Sequence, residues 1–448
     1  MTSNEQFNSA KFWETRYQKG GNSGAGSYGR LCDYKAKYIN DTVRAYKIDT
    51  VIEFGCGDSN QCSTFEFEHY TGVDVSEYAL NLCKNRFSDK KNWNFYNLNT
   101  LSVSPHDLSM SLEVIYHLIE DEVYEKYMND LFNHAKKYVL IYASDFEGSK
   151  AQNQKHVKHR NFSKWIKDNK PDWHLIESPE QPFKYADGKS AKNHSFASFK
   201  LFVHKDFKQT IRAHMATYPA RSEVLKDAVE NILKQIDHLY IVLNEYTEIP
   251  SFLLNEPKIT AVIPERDLKD VGKFYFQPNP DDIVLMVDDD LIYDKKYVEE
   301  SVRQARLIGL DNHVFGYHCT IYTNQNIKTV KEKKVYPFAR AYPSAMYVNQ
   351  IGTGTAVALG KNIPLFSYME SSQKFVDVRF AKWAFEQNIN LVRLARRFGF
   401  IKPAEIQHPN SIPIYKQFTR NSPQCVINEI NTFAGKSLIS GQVIDLSF

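Results

Sequence analysis

The sequence predicts an α/β protein built as two domains in series, and three observations carry that prediction. At 448 residues the chain exceeds the length at which a single hydrophobic core stops growing. Short apolar runs alternate with helix-length amphipathic stretches, and they do so twice, which predicts sheets covered by helices. Each series then places ligand-binding residue types directly after a strand: glycines in the first, three consecutive aspartates in the second. The first domain is expected over 1–205 and the second over 206–448, with a lid or tail from about 400.

Bulk numbers narrow the function class. A hydrophobic share of 42% and a charged share of 24% are those of a soluble globular chain. A net charge of +3 gives no basic footprint for nucleic acid. No run of 18 apolar residues occurs, so no membrane span is expected, and only peripheral association with a membrane remains open. The stretch MTSNEQFNSAKFW lacks a signal-type apolar core, and the six cysteines show no C-x-x-C spacing. Both features fit a cytoplasmic protein with reduced thiols. Aromatics reach 14%, a share that serves cores first and carbohydrate stacking second.

The first series runs DTVIEF, HYTGVDVS, DLSMSLEVIYHL, KKYVLIYASD and FASFKLFVHK, each a strand, the third continuing into a helix. VIEFGCGDSN puts Gly55 and Gly57 at a strand-to-helix turn, where a bare backbone and free N–H groups can approach a ligand. Asp74 ends the next strand, at a spacing suited to ribose hydroxyls. Asn60 stands where a dinucleotide fingerprint has its third glycine, which argues against NAD.

These residues resemble the class I S-adenosylmethionine-dependent methyltransferases over about 10–205. Glu53-Phe54-Gly55-Cys56-Gly57 matches their first motif and Val73-Asp74-Val75 their second. SLEVIYHLIED (111–121) matches a later one, and FWETRYQKGGNSGAGSYGRL resembles an N-terminal cap. The resemblance implies that Glu53, Gly55 and Gly57 cradle the methionine part of the donor. Asp74 would bind the ribose, and Glu113 would line the methyl-donor cleft. With no asparagine-proline-proline-tyrosine motif, an oxygen acceptor is expected. His117, His156 and His159 are the candidate bases for its hydroxyl.

The second series opens with TIRAHMATYPAR and continues through a helix, LYIVLN, KITAVI and DIVLMVDDD. Three adjacent carboxylates repel by several kcal/mol at a protein-like dielectric. A hard divalent cation would reverse that sign. Helix capping with solvent exposure is the plainer alternative.

This half resembles the GT-A glycosyltransferases over about 209–400, whose Asp-x-Asp motif Asp288-Asp289-Asp290 matches. The resemblance implies Mn²⁺ or Mg²⁺ on Asp288 and Asp290, with Asp289 beside a nucleotide-sugar donor. Thr217 and Arg221 after the first strand, Asn244 after the second, and Asp270 and Lys273 in RDLKDVGKFYF would meet base and phosphate. Gly352, Thr353 and Gly354 in IGTGTAVALG would admit the acceptor, and Asp377 in KFVDVRFAKWAFEQN would act as base. Its plainer role is a charge at a helix N-terminus. The expectation is a bifunctional surface-glycan enzyme of capsule or O-antigen type. It would take a nucleotide-sugar donor and a glycan or lipid-linked glycan acceptor, and O-methylate a sugar hydroxyl. The alternative keeps the glycosyltransferase and makes the first half a non-catalytic binding module.

Overall fold

The computed structural model describes residues 7–148, 156–186, 193–406 and 418–446. Two compact units divide the chain between Lys208 and Gln209.

The first unit holds strands β1 (Thr50–Phe54), β2 (His69–Asp74), β3 (Trp93–Asn97), β4 (His106–Leu112), β5 (Ala135–Ala143), β6 (Trp173–Glu177) and β7 (Ser198–His204). They form one sheet in the order β3-β2-β1-β4-β5-β7-β6. All pairings are parallel except those of β7, which runs against both neighbours. The unit is thus a Rossmann-like α/β domain. In β1, Val51 packs into one apolar layer while Ile52 and Phe54 pack into the other. Burial on both faces explains why the strand reads as a continuous apolar run. Strand order reverses between β1 and β4, and a doubly wound sheet opens a crevice at the carboxyl ends there.

The second unit follows the same logic with more strands. They are β8 (Ile211–Thr217), β9 (His238–Leu243), β10 (Ile259–Val262), β11 (Ile283–Val287), β12 (Leu291–Tyr293), β13 (His313–Gly316), β14 (Cys319–Ile321), β15 (Lys334–Tyr336), β16 (Ala345–Val348), β17 (Gln350–Ile351), β18 (Thr355–Leu359), β19 (Asn390–Arg393), β20 (Ile401–Pro403) and β21 (Val443–Ile444). Nine of them make a mixed sheet in the order β10-β9-β8-β11-β18-β13-β19-β16-β21. In β11, Val284 and Met286 face one core while Ile283, Leu285 and Val287 face the other. Here the order reverses between β8 and β11, which are parallel neighbours.

The lid or tail expected from about 400 has more regular structure than its turn-rich sequence predicts. Residues 407–417 lie outside the described set. On either side of them stand β20, the helix Gln424–Phe433 and the edge strand β21. Val426, Ile427, Ile430 and Phe433 of that helix are buried in the core. Among the described residues no helix is long and apolar enough to cross a membrane.

Candidate functional site

In the first unit the crevice at β1 and β4 is a cavity of about 240 Å³. Gly55 and Gly57 form the turn after β1 with φ of +88° and +59°. Neither has room for a Cβ: at Gly55 it would overlap Val114, and at Gly57 Ser23. Gly57 N–H donates to Asp74 Oδ2 and Ser76 N–H to Asp74 Oδ1, both at 2.9 Å. Burial raises the Asp74 carboxyl, and these backbone donors draw it back. Asp74 therefore lines the cavity with one oxygen engaged by the glycine turn and the other by Ser76, just after its own strand. Glu53 is buried under a hydrogen bond from Tyr70, and loss of water pushes it up to about 7.

Glu113 follows β4 in a left-handed conformation (φ +62°) and also lines the cavity. Its carboxylate pairs with the fully buried Lys35 at 2.7 Å. A Cβ on Gly26 would overlap the same carboxylate, so the stretch around Gly26 lies directly on it. That stretch is tied to the glycine turn through Asp58. Asp58 Oδ2 accepts from Ser23 N–H at 2.8 Å and from Tyr28 O–H at 2.7 Å, and Asp58 N–H donates to Ser23 Oγ at 3.0 Å. Sequence reasoning missed Lys35, which belongs to no local pattern, and Asp58, which follows Gly57 directly but whose partners Ser23 and Tyr28 lie some 30 or more positions away.

The three histidines separate. His117 lines the cavity, with its Nδ1 2.8 Å from the carbonyl oxygen of His156. A carbonyl only accepts, so Nδ1 carries the proton and Nε2 is left as the acceptor. Burial pushes His117 down to about 4. The His156 ring stacks against Phe12 and His117, outside the cavity wall. His159 is buried with Nδ1 2.7 Å from Ser144 Oγ, also away from the cavity. Of the three, only His117 reaches the site.

In the second unit a cavity of about 820 Å³ lies at the carboxyl ends of β8, β9 and β11. It gathers the acidic triplet, Thr217, Arg221, Asn244, Asp270 and Lys273 on one side. The turn Gly352-Thr353-Gly354 and Asp377 lie on the other. Every residue the sequence proposed for this half lines it.

Three of them already have partners within the chain. Asn244 donates to Lys269 O at 3.0 Å and accepts from Leu268 N–H at 2.8 Å, which fixes the neighbouring loop. Asp270 accepts from Lys374 N–H at 2.7 Å, and shielding from water pushes it up to about 6. Both side chains thus shape the wall. Lys273, expected to meet phosphate, is buried and paired with Asp288.

The acidic triplet is therefore tolerated partly through the chain's own cations. Lys273 pairs with Asp288 and Arg221 with Asp290. Burial pushes Asp289 up to about 7, against the pull of Arg221. It also raises Asp290, with Asp288 adding to the rise and Arg221 opposing it. Among the described residues no group of three or more His, Cys, Asp or Glu is arranged to hold a metal ion. Gly354 faces the triplet, and a Cβ there would overlap the Asp288 carboxylate. The missing side chain leaves that carboxylate its place on the cavity wall.

Asp377 opens the helix Val376–Glu386. Its Oδ1 accepts from Thr353 N–H at 2.8 Å and from Thr353 Oγ1 at 2.9 Å. No hydrogen bond reaches its Oδ2 among the described residues. His318, which the sequence did not suggest, lines the same cavity, and its buried Nδ1 has no partner among the described residues. Its backbone is pinned by Gly352 N–H to His318 O at 2.7 Å and by His318 N–H to Thr355 Oγ1 at 3.1 Å.

No family model and no curated protein sequence matches the chain. Among solved structures it is similar to the N-methyltransferase NodS from Bradyrhizobium japonicum at 12% identity, covering 39% of this chain and 97% of that one, with a TM-score of 0.31. It is similar to the magnesium protoporphyrin IX methyltransferase from Synechocystis at 13% identity, covering 45% and 90%, with a TM-score of 0.29. A SAM-dependent methyltransferase from Anabaena variabilis shares 15% identity, covering 44% and 96%, with a TM-score of 0.32. These distant, partial likenesses are to S-adenosylmethionine-dependent methyltransferases, and they assign no residue a role.

Proposed function

We propose that the chain is a two-part transferase, with a nucleotide-sugar-dependent glycosyltransferase of GT-A type after residue 208 and a methyl-donor-binding domain before it. One observation carries the reading: the residues expected from the second half converge on one cavity at the reversal of strand order.

Asp288 and Asp290 would hold Mg²⁺ or Mn²⁺. Two carboxylates suffice where substrate phosphates and water complete the shell, as is usual for Mg²⁺. The ion would supply charge against the departing diphosphate. Once Asp288 and Asp290 turn to it, Lys273 and Arg221 lose their present partners and can meet the phosphates. Asp377 takes the proton of the acceptor hydroxyl, with Thr353 holding Oδ1 so that Oδ2 is left for the substrate. Thr217 and Asp289 close the donor side, and Gly352 and Gly354 let the acceptor come close.

In the first unit the turn Gly55–Gly57 and Asp74 would hold S-adenosylmethionine, whose sulfonium supplies the methyl group. Glu53 would brace the turn, and Glu113 would face the donor's cationic centre. His117 would accept the hydroxyl proton at Nε2. A second reading, a donor-binding module without catalysis, is favoured by His117 itself. A group pushed down to about 4 is a weak base at neutral pH. The acceptor on this reading is a glycan or lipid-linked glycan handled in the cytoplasm.

The test is a screen of nucleotide-sugars with Mn²⁺, with products read by mass spectrometry, beside calorimetry with S-adenosylmethionine. Asp288→Ala with Asp290→Ala should abolish sugar transfer and leave S-adenosylmethionine binding intact. Asp74→Ala should weaken that binding by about 1.5–3 kcal/mol. Sugar transfer that survives loss of both acids would refute the metal site. Unchanged S-adenosylmethionine affinity in Asp74→Ala would refute the donor site.

A further inference from the structure

His318 stands on the wall of the larger cavity with hydrogen-bonding capacity that the chain leaves unused. No hydrogen bond reaches either ring nitrogen among the described residues, and Nδ1 is shut off from solvent. Nε2 is therefore the nitrogen left to the cavity. The ring itself is held in place. Gly352 packs against it: a Cβ there would stand 3.2 Å from His318 Cβ and 3.4 Å from Cδ2. The Phe338 ring lies 5.9 Å away, centroid to centroid. Gly352 N–H and Thr355 Oγ1 pin the backbone. A fixed polar ring with one open nitrogen is the kind of group that orients a ligand.

Its neighbours decide which kind of group it suits. Asp270, Asp377, Lys333 and Lys374 line the cavity as well, so the charges there are of both signs and select neither an anion nor a cation. Burial holds the imidazole below its ordinary value, against the pull of Asp377 and with Lys333 and Arg396 assisting. The ring is therefore neutral near neutral pH, with one nitrogen that donates and one that accepts. A hydroxyl does both, so it meets Nε2 in either tautomer. Position supplies the rest. His318 rests against Gly352, and Asp377 grips Thr353, the next residue. Neighbouring Cα atoms stand about 3.8 Å apart, so imidazole and carboxylate flank one short piece of chain. That placement suits two hydroxyls on adjacent carbons of one sugar ring.

Resting on the sugar-transfer reading above, we propose that His318 sets acceptor specificity, holding at Nε2 the hydroxyl next to the one that Asp377 deprotonates. The acceptor is then a sugar with two free hydroxyls on adjacent carbons, one reacting and one held. Asp377 alone would fix the reacting oxygen and leave the sugar free to turn about it. The second contact stops that rotation and decides which oxygen of the pair is presented to the base.

The experiment is calorimetry and ring-nitrogen NMR on the full chain, labelled with ¹⁵N-histidine. The probes are methyl β-D-glucoside, methyl β-D-galactoside and methyl α-D-mannoside, each beside its monodeoxy analogues. Every probe is run alone and after saturation with Mg²⁺ and a nucleoside diphosphate. At least one glycoside should bind and move the His318 signal, which is identified by its loss in His318→Gln. Two of its monodeoxy analogues should bind about tenfold more weakly. His318→Ala should bring the same loss, with none further for the analogue that lacks the hydroxyl His318 reads. Asp377→Ala should mark the neighbouring hydroxyl in the same way. His318→Gln, whose amide also donates and accepts, should recover part of the affinity. Marks on non-adjacent hydroxyls, an unmoved His318 signal or no glycoside binding at all would each overturn the proposal. So would a His318→Ala chain that loses nucleotide affinity instead, since His318 then belongs to the donor side. Failure of every nucleoside diphosphate to bind with Mg²⁺ would strike the sugar-transfer reading, and the glycosides run alone still decide what His318 reads.

Discussion

In the first unit, the acids at the carboxyl ends of the strands are satisfied by neighbours that will not easily let go. Asp74 is held by two backbone N–H groups and Glu113 by a lysine with no exposure to water. In the second, Asp288 and Asp290 are held by Lys273 and Arg221, long side chains on a cavity more than three times larger. Asp74 is fixed by backbone donors and Glu113 by a lysine off the cavity wall. Lys273 and Arg221 instead line their cavity, where a ligand's charges can take their partners' place. The same place in the sheet can therefore be built as a braced turn or as a site poised to swap partners.

The sharpest break of that comparison is Lys35→Met, which would strand the Glu113 carboxylate. Removing one partner of a buried pair costs about 3–5 kcal/mol. Urea unfolding should show that loss, and Lys35→Met with Glu113→Leu should recover much of it. A loss below about 1 kcal/mol would mean the pair is as exchangeable as those of the second unit.

Next in size is Asp377→Asn, which keeps the shape and removes the basicity. On the sugar-transfer proposal, turnover should fall by about 10²–10⁴-fold, with nucleotide-sugar and Mn²⁺ affinity hardly changed. Near-normal turnover would leave Asp377 as the clamp on Thr353 and nothing more.

A third way to break it is a pH slope that both units should share. Glu53 and Asp289 are each pushed up to about 7 by burial, against about 4 for a free carboxyl. Between those values the folded chain holds protons that the unfolded chain has released. Stability therefore declines as pH rises from about 4 to about 7. Asp289→Asn and Glu53→Gln cannot ionise, so each should gain on the parent chain between pH 5 and pH 8 in melts with chelator present. A gap that stays constant for either one would remove that acid from the argument.

How far the sequence reveals this arrangement depends on how local each feature is. The glycine turn and the aspartate triplet each follow an apolar run within a few residues, so VIEFGCG and DIVLMVDDD announce both switch points. The edge strand Trp93–Asn97 is harder to see, because its exposed side carries polar groups and a tyrosine that blur the alternation. The helix Gln424–Phe433 hides behind a turn-rich stretch. Lys35 meets Glu113 across 78 positions, and no spacing rule reaches that far. The left-handed backbone of Lys374 (φ +75°) has no sequence signature either, since nothing in KFVDV marks it. His318 lies in an ordinary apolar run, and only the fold brings it to the cavity.

Gly354 has a consequence that extends beyond its own position. The acidic triplet touches it on one side, while Thr353, one residue before it, is gripped by Asp377. Tyr293 closes the loop: its hydroxyl donates to Gly354 O at 2.7 Å and accepts from Asp288 N–H at 2.8 Å. The carboxylate proposed to hold the metal and the carboxylate proposed to meet the acceptor thus hang from one short strip of chain. Such a strip makes the two ends a single heritable unit. A lineage that altered one end would have to revise the other with it, so change would more readily arise along the outer walls than at this seam.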